Sequence, residues 1–275
     1  MTSVRPGAAS PPRPELGEAA PVAALRSAAD ALAVRAGEAG LDARVPTCPR
    51  WRVADLVAHQ GIVHRWAAGH LRLDEARTLS KGEVLRTVPR PQLLDWFAAG
   101  VAGLEEALAA APPDVRAMVF LRDAPAPRAF WARRQAHETT IHSCDALAAV
   151  LGRRPSATEA GLGRDLAVDG LDELLTGFVT RGRSTLCTDA PSRLVVAPDD
   201  AHLAWVLDVA PDGITTRRTT RDGVRPPGDG PPDAVFHGSA AQLYLGLWNR
   251  GDEVAVDGDR ALLDRWSARV HVRWS

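Results

Sequence analysis

Apolar residues recur at helical spacing through most of the first half of the chain. Between positions 21 and 39, alanine and leucine repeat every three or four residues, and Gly40 closes the run. The segment VPTCPRW (45–51) carries two prolines, which argue against helix, and it leads into a second amphipathic run over 53–73. A third run follows Pro91 through LLDWFAAGVAGLEEALAAA and is stopped by Pro112 and Pro113. A fourth begins near Ala129 and continues through FWARRQAHETTIHSCDALAAVLG, with Gly152 placed as its C-cap. Helices of roughly 20 residues, joined by loops with no strand signal between them, predict a four-helix bundle.

The pattern changes after Gly152. One more helix is expected over 158–180. Short β-like runs then predict strands at 193–197, 203–210, 213–218 and 234–238, with the Pro/Gly loop RDGVRPPGDGPPD before the last of them. SAAQLYLGLWNR (239–250) reads as an apolar helix, and the end reads as strand EVAV, helix DRALLDRWSA and strand VHVRW. The expected fold class is therefore α plus α+β: a helical bundle over 15–152 and a smaller C-terminal α+β domain over 157–275. A Pro-, Ala- and Ser-rich stretch, 1–14, precedes them as an expected disordered tail.

Composition narrows the function classes. The 275 residues suffice for two cores, and the formal net charge of -1 offers no basic excess for nucleic acid. No apolar run approaches the roughly 20 residues of a membrane span. The N-terminus MTSVRPGAASPPRPEL has no apolar h-region, so a cytoplasmic location is expected. The cysteines are Cys48, Cys144 and Cys187, an odd number without a CxxC pair, which argues against a disulfide framework or a thiolate zinc site. Monomer and homodimer both remain open.

The segment HETTIH (137–142) carries the sharpest chemistry. Its histidines are five apart, about 140° around a helix that advances about 100° per residue, so they do not share a face as those of the zinc-protease motif HExxH do. Glu138 and His142 are four apart and project side by side. A third ligand should come from a facing helix, where His59 and His64 are again five apart. His59 shares a face with Asp55, Val63 and Trp66, and because the inward side of this helix needs the apolar members, it is the better placed inward histidine. Two imidazoles and one carboxylate would leave a coordination position open, which suits catalysis. A solvated Glu/His pair and a satisfied core histidine remain the alternatives at this point. Arg134, one turn before Glu138, is placed either to pair with Glu138 or Asp145 or to hold a substrate carboxylate. Asp145, three residues past His142, is placed to orient its imidazole. Trp66 and Trp131 are expected to wall the pocket, and His64 and His137 to serve packing or surface.

Three segments then carry a resemblance. VPTCPRWRVADLVAHQGIVHRW is similar to the P-x-W-x-x-x-D-L-x-x-H pattern, and RRQAHETTIHSCDA to the R-x-x-A-H-E-x-x-x-H-x-x-D-A pattern, of the DinB-like metal-binding bundle in the branch containing mycothiol-dependent maleylpyruvate isomerase. GSAAQLYLGLWNR followed by VAVDGD resembles that family's sterol-carrier-like C-terminal domain. The resemblance covers nearly all of the chain past the tail. It implies metal ligands at His59, Glu138 and His142, an ion that is usually zinc, mycothiol as a low-molecular-weight thiol cosubstrate, and an arginine important for activity at Arg250.

The activity so implied is a metal-dependent, thiol-assisted isomerase or thiol S-transferase acting on a small, unsaturated, carboxylated substrate such as maleylpyruvate. A thiol-independent metal hydrolase or isomerase on the same scaffold, and a non-catalytic metal-binding module, are the competing readings. Whether Arg250 reaches the metal site is not legible in the sequence.

Overall fold

The computed structural model describes residues 10–14, 16–17, 19–74, 78–181, 186, 188, 190–224 and 230–272. The chain forms two compact units. One comprises Leu16–Leu162 with Leu245–Asp252, and the other comprises Met1–Glu15, Gly163–Tyr244 and Glu253–Ser275.

The first unit is helical. Helix α1 (Ala20–Ala39) carries Pro21 in its first turn and buries Leu25, Ala28, Ala29, Leu32 and Ala36 along one stripe, ending where Gly40 takes a φ of 79°. Helix α2 (Val53–Arg72) is started by Asp55, whose Oδ2 accepts the backbone N–H of Arg52 at 2.9 Å. A short helix, α3 (Lys81–Thr87), opens on a capping box between Ser80 and Glu83. Helices α4 (Leu93–Ala110) and α5 (Pro127–Leu151) complete the bundle, and a single turn, α6 (Ala157–Ala160), follows. Helix α1 packs on α5, and α2 packs on both α4 and α5. Every residue of α5 from Phe130 to Ala146 is buried, so this helix forms the centre of the unit and turns polar side chains into its interior.

The second unit begins with α7 (Arg164–Asp172), which runs into a π-helical turn, Glu173–Phe178. Five strands follow in a mixed sheet of order β3-β2-β1-β4-β5: β1 (Ser192–Pro198), β2 (Leu203–Ala210), β3 (Gly213–Thr220), β4 (Ala234–Gly238) and β5 (Ala255–Gly258). Only the β1–β4 pair is parallel, with Val196 opposite Phe236. A buried ion pair braces this unit: Asp172 accepts Arg218 Nη2 at 3.0 Å and the Trp205 indole N–H at 3.0 Å. Helix α8 (Ala240–Leu247) precedes β5, and α9 (Ala261–Arg269) follows it. No helix among the described residues is long and apolar enough to cross a membrane.

Four expectations change in detail. The single helix expected over 158–180 is broken, because Gly161 takes a left-handed φ of 65° and separates α6 from α7. The helix expected to run to Arg250 stops at Leu247, and Asn249 turns left-handed at φ 61°. Helix α3 was not anticipated. The last expected strand, VHVRW, is absent over the described residues 270–272, where Val270 instead caps α9; its remaining residues, like Cys187 and positions 1–9 of the expected tail, lie outside the described residues.

Candidate metal centre

The interior face of α5 presents Glu138 and His142, and the facing turn of α2 presents His59. His142 Nε2 lies 3.3 Å and His59 Nε2 3.6 Å from Glu138 Oε1, and the three candidate ligand atoms all stand within 4.8 Å of one another. The imidazole centroids are 5.0 Å apart, edge to face.

This arrangement passes a chemical test for a divalent ion. Ligand atoms each about 2 Å from one ion stand roughly 3.3 Å apart in a tetrahedral set. Glu138 Oε1 is buried and makes no hydrogen bond. A buried carboxylate oxygen left without a donor is costly, and a shared cation removes that cost. The other oxygen, Oε2, accepts Arg134 Nη2 at 2.8 Å. Burial alone would raise the Glu138 pKa, but the two imidazoles and the Arg134 charge outweigh it and hold the carboxyl well below its ordinary range.

Asp145 sets the orientation of one imidazole. Its Oδ2 lies 2.8 Å from His142 Nδ1, which places the ring proton on Nδ1 and leaves Nε2 facing Glu138. Burial opposes protonation of His142, yet the hydrogen bond to Asp145 and the nearby negative charges of Glu138 and Asp145 prevail and push its pKa up to about 9. On His59 burial prevails instead and lowers its pKa. Asp145 is itself fully buried and accepts from Thr47 Oγ1, Arg250 Nε and Arg250 Nη2.

The structure brings His59, Glu138 and His142 together and sets both expected arginines in the surrounding layer. Arg134 sits on Glu138, with its guanidinium carbon 5.6 Å from the Trp248 ring centre. Arg250 sits on Asp145. His64 stays out of the cluster: it is buried against Gln60 and Thr139, and burial pushes its pKa down to about 3. His137 is buried as well. Trp66 and Trp131 meet edge to face at 5.0 Å beside His70, elsewhere on the same two helices.

The aromatic ring lying against the imidazoles is Trp51, 4.9 Å from His59 and 5.9 Å from His142 between ring centres. Lys81 Nζ sits over that ring and 3.0 Å from Asp55 Oδ1. Sequence reasoning assigned neither residue a role. The clue to Trp51 was its place at the end of the proline-constrained segment VPTCPRW. Lys81 stands out as the chain's single lysine. Cys48 and Cys144 are both pushed up to about 12, chiefly by burial, which makes neither a nucleophile near neutral pH.

A helical bundle enclosing a carboxylate between two imidazoles, in a chain that also carries a small mixed-sheet unit, defines the class of protein. Residues 11–147 match the family model described as the mycothiol maleylpyruvate isomerase N-terminal domain, and residues 165–265 match that of the corresponding C-terminal domain. The chain belongs to the mycothiol-dependent maleylpyruvate isomerase family. The fold is similar to two crystal structures of the mycothiol-dependent maleylpyruvate isomerase. A histidine-to-alanine mutant of that enzyme is 14% identical with a TM-score of 0.59, and a second structure of it is 16% identical with a TM-score of 0.56. Each comparison covers 88% of this chain and 93% of the other. No curated protein gave a significant match.

Proposed function

We propose that His59, Glu138 and His142 hold a divalent ion, most simply zinc, and that the protein catalyses a thiol-assisted cis–trans isomerisation or a related S-transfer. The thiol is mycothiol and the substrate a small unsaturated carboxylate such as maleylpyruvate. The observation that carries this reading is the convergence of two imidazoles on the donor-less Oε1 of buried Glu138, within a chain whose two halves match the family's two domains.

Bound there, such an ion lowers the pKa of a coordinating thiol, as metals do for water and thiols generally. The chain's own residues prepare the site. Arg134 keeps Glu138 ionised, Asp145 holds the His142 tautomer, and Trp51 covers the two rings. Three protein ligands leave room for an exogenous one. In the reaction, the thiolate adds to the cis double bond, rotation follows about the resulting single bond, and elimination releases the trans acid and returns the thiol unchanged.

The test is a zinc-loaded preparation assayed for maleylpyruvate isomerisation with and without mycothiol. Turnover should need both metal and thiol. His59→Ala should lose both stoichiometric zinc and turnover. Metal-dependent turnover without any thiol would overturn the thiol assignment, and a His59→Ala protein that keeps one zinc per chain would overturn the ligand set.

A further inference from the structure

We infer that Arg250 serves the centre as a positioning residue, acting on His142 through Asp145 rather than by contact with substrate. The inference rests on the metal-centre reading above and adds a residue and a route to it.

The geometry is that of a clamp. Arg250 grips the Asp145 carboxylate with two parallel bonds, Nε to Oδ1 at 3.0 Å and Nη2 to Oδ2 at 3.0 Å. Thr47 Oγ1 also donates to Oδ1, and His142 Nδ1 and Cys48 Sγ approach Oδ2 at 2.8 Å and 3.6 Å. A carboxylate offers about four lone-pair sites, and this one has them all engaged. Its plane is fixed from one side by a rigid guanidinium fork and from the other by an imidazole, so the orientation of the fork is passed to the ring.

The guanidinium has little left to offer a substrate. Besides Asp145, it donates from Nη1 to the Trp248 carbonyl at 2.9 Å and from Nη2 to Cys48 Sγ at 3.5 Å. Its side chain is 18% exposed. A bidentate grip on a substrate carboxylate would have to break the grip on Asp145 and leave a buried charge behind, which is strongly unfavourable. The turn that places Arg250 is equally fixed: after α8, Asn249 is left-handed and the Arg250 N–H returns to the Leu245 carbonyl at 2.7 Å.

The experiment measures zinc affinity by chelator competition, and the visible spectrum of the cobalt-loaded full chain, for Arg250→Met, Arg250→Lys, Asp145→Asn and the Arg250→Met/Asp145→Asn pair. Arg250→Met and Asp145→Asn should each weaken zinc by about 10–100-fold, the usual cost of losing support behind a ligand histidine, and should shift the cobalt bands. The pair should lose no more than the worse single change. Arg250→Lys keeps a cation beside Asp145 but not the fork. It should fold and show an intermediate loss, which preserves the test if Arg250→Met does not fold. Wild-type zinc affinity and an unchanged cobalt spectrum in Arg250→Met or Arg250→Lys, or losses that multiply in the pair, would overturn the inference. His59→Ala runs alongside: undiminished zinc binding there would refute the metal centre itself, a failure distinguishable from that of the Arg250 route alone.

Discussion

Raising the pH of the metal-free protein from 6.5 to 9 is expected to remove about 3 kcal/mol of folding stability. The source is His142, whose pKa is about 9 in the folded chain against an ordinary 6.5. A histidine with a raised folded pKa contributes its full stabilisation below its unfolded pKa and loses it as the pH climbs through the folded one. The loss here therefore falls between 6.5 and 9. On the acid side the sign reverses. His64 stays neutral down to about pH 3 because it is buried, while its unfolded counterpart takes up a proton near 6.5, so stability also falls as the pH drops below 6.5. The lowered His59 acts in the same direction. Below about pH 4 the depressed carboxyls of Glu138 and Asp145 add to the acid loss. The metal-free protein should be most stable near pH 6.5. Urea unfolding of chelator-treated protein at constant ionic strength, from pH 5 to 9, measures the curve. Saturating zinc should abolish the alkaline limb, because the ion replaces the proton on His142. His142→Asn should abolish it too. A metal-free curve that is flat or rising between pH 7 and 9 would refute this account of His142.

Two further outcomes follow from burial and packing. Glu138→Gln removes the charge that faces fully buried Arg134, and it should destabilise the metal-free protein by about 3 kcal/mol in urea; a change under about 1 kcal/mol would show that Arg134 is balanced elsewhere. Gly61→Ala drives a methyl into the Trp96 ring, which sits under the Arg65 guanidinium, and should lower stability by about 1–3 kcal/mol in thermal unfolding while leaving zinc stoichiometry intact.

The helices of the bundle were legible because each buries a continuous stripe; Leu25, Leu32 and Ala36 on α1 show the spacing plainly. Helix α3 was not, because its seven residues bury Val84 alone and leave no stripe to detect, although the S-x-x-E spacing of Ser80 and Glu83 was there to be seen. Gly161 and Gly163 break what the apolar pattern joined across 158–180. In the candidate site, helix angles alone paired Glu138 with His142 and favoured His59 over His64, and the structure converges the same three. What angles could not supply is the layer behind them. Thr47, Cys48 and Trp51 are delivered by a loop, and Arg250 by a left-handed turn more than a hundred residues downstream of Asp145. Such contacts depend on tertiary placement, which hydrophobic periodicity does not encode.

That separation has a consequence for synthesis. The segment Leu245–Asp252 belongs to the helical unit but is translated after most of the other one. At roughly 5–20 residues per second, the ribosome releases Arg250 about 5–20 s after Asp145. Through that interval the nascent bundle carries a carboxylate destined for full burial without the guanidinium that neutralises it. Until then only His142, Thr47 and Cys48 face that carboxylate, so the clamp on Asp145 is the last part of the bundle to be completed.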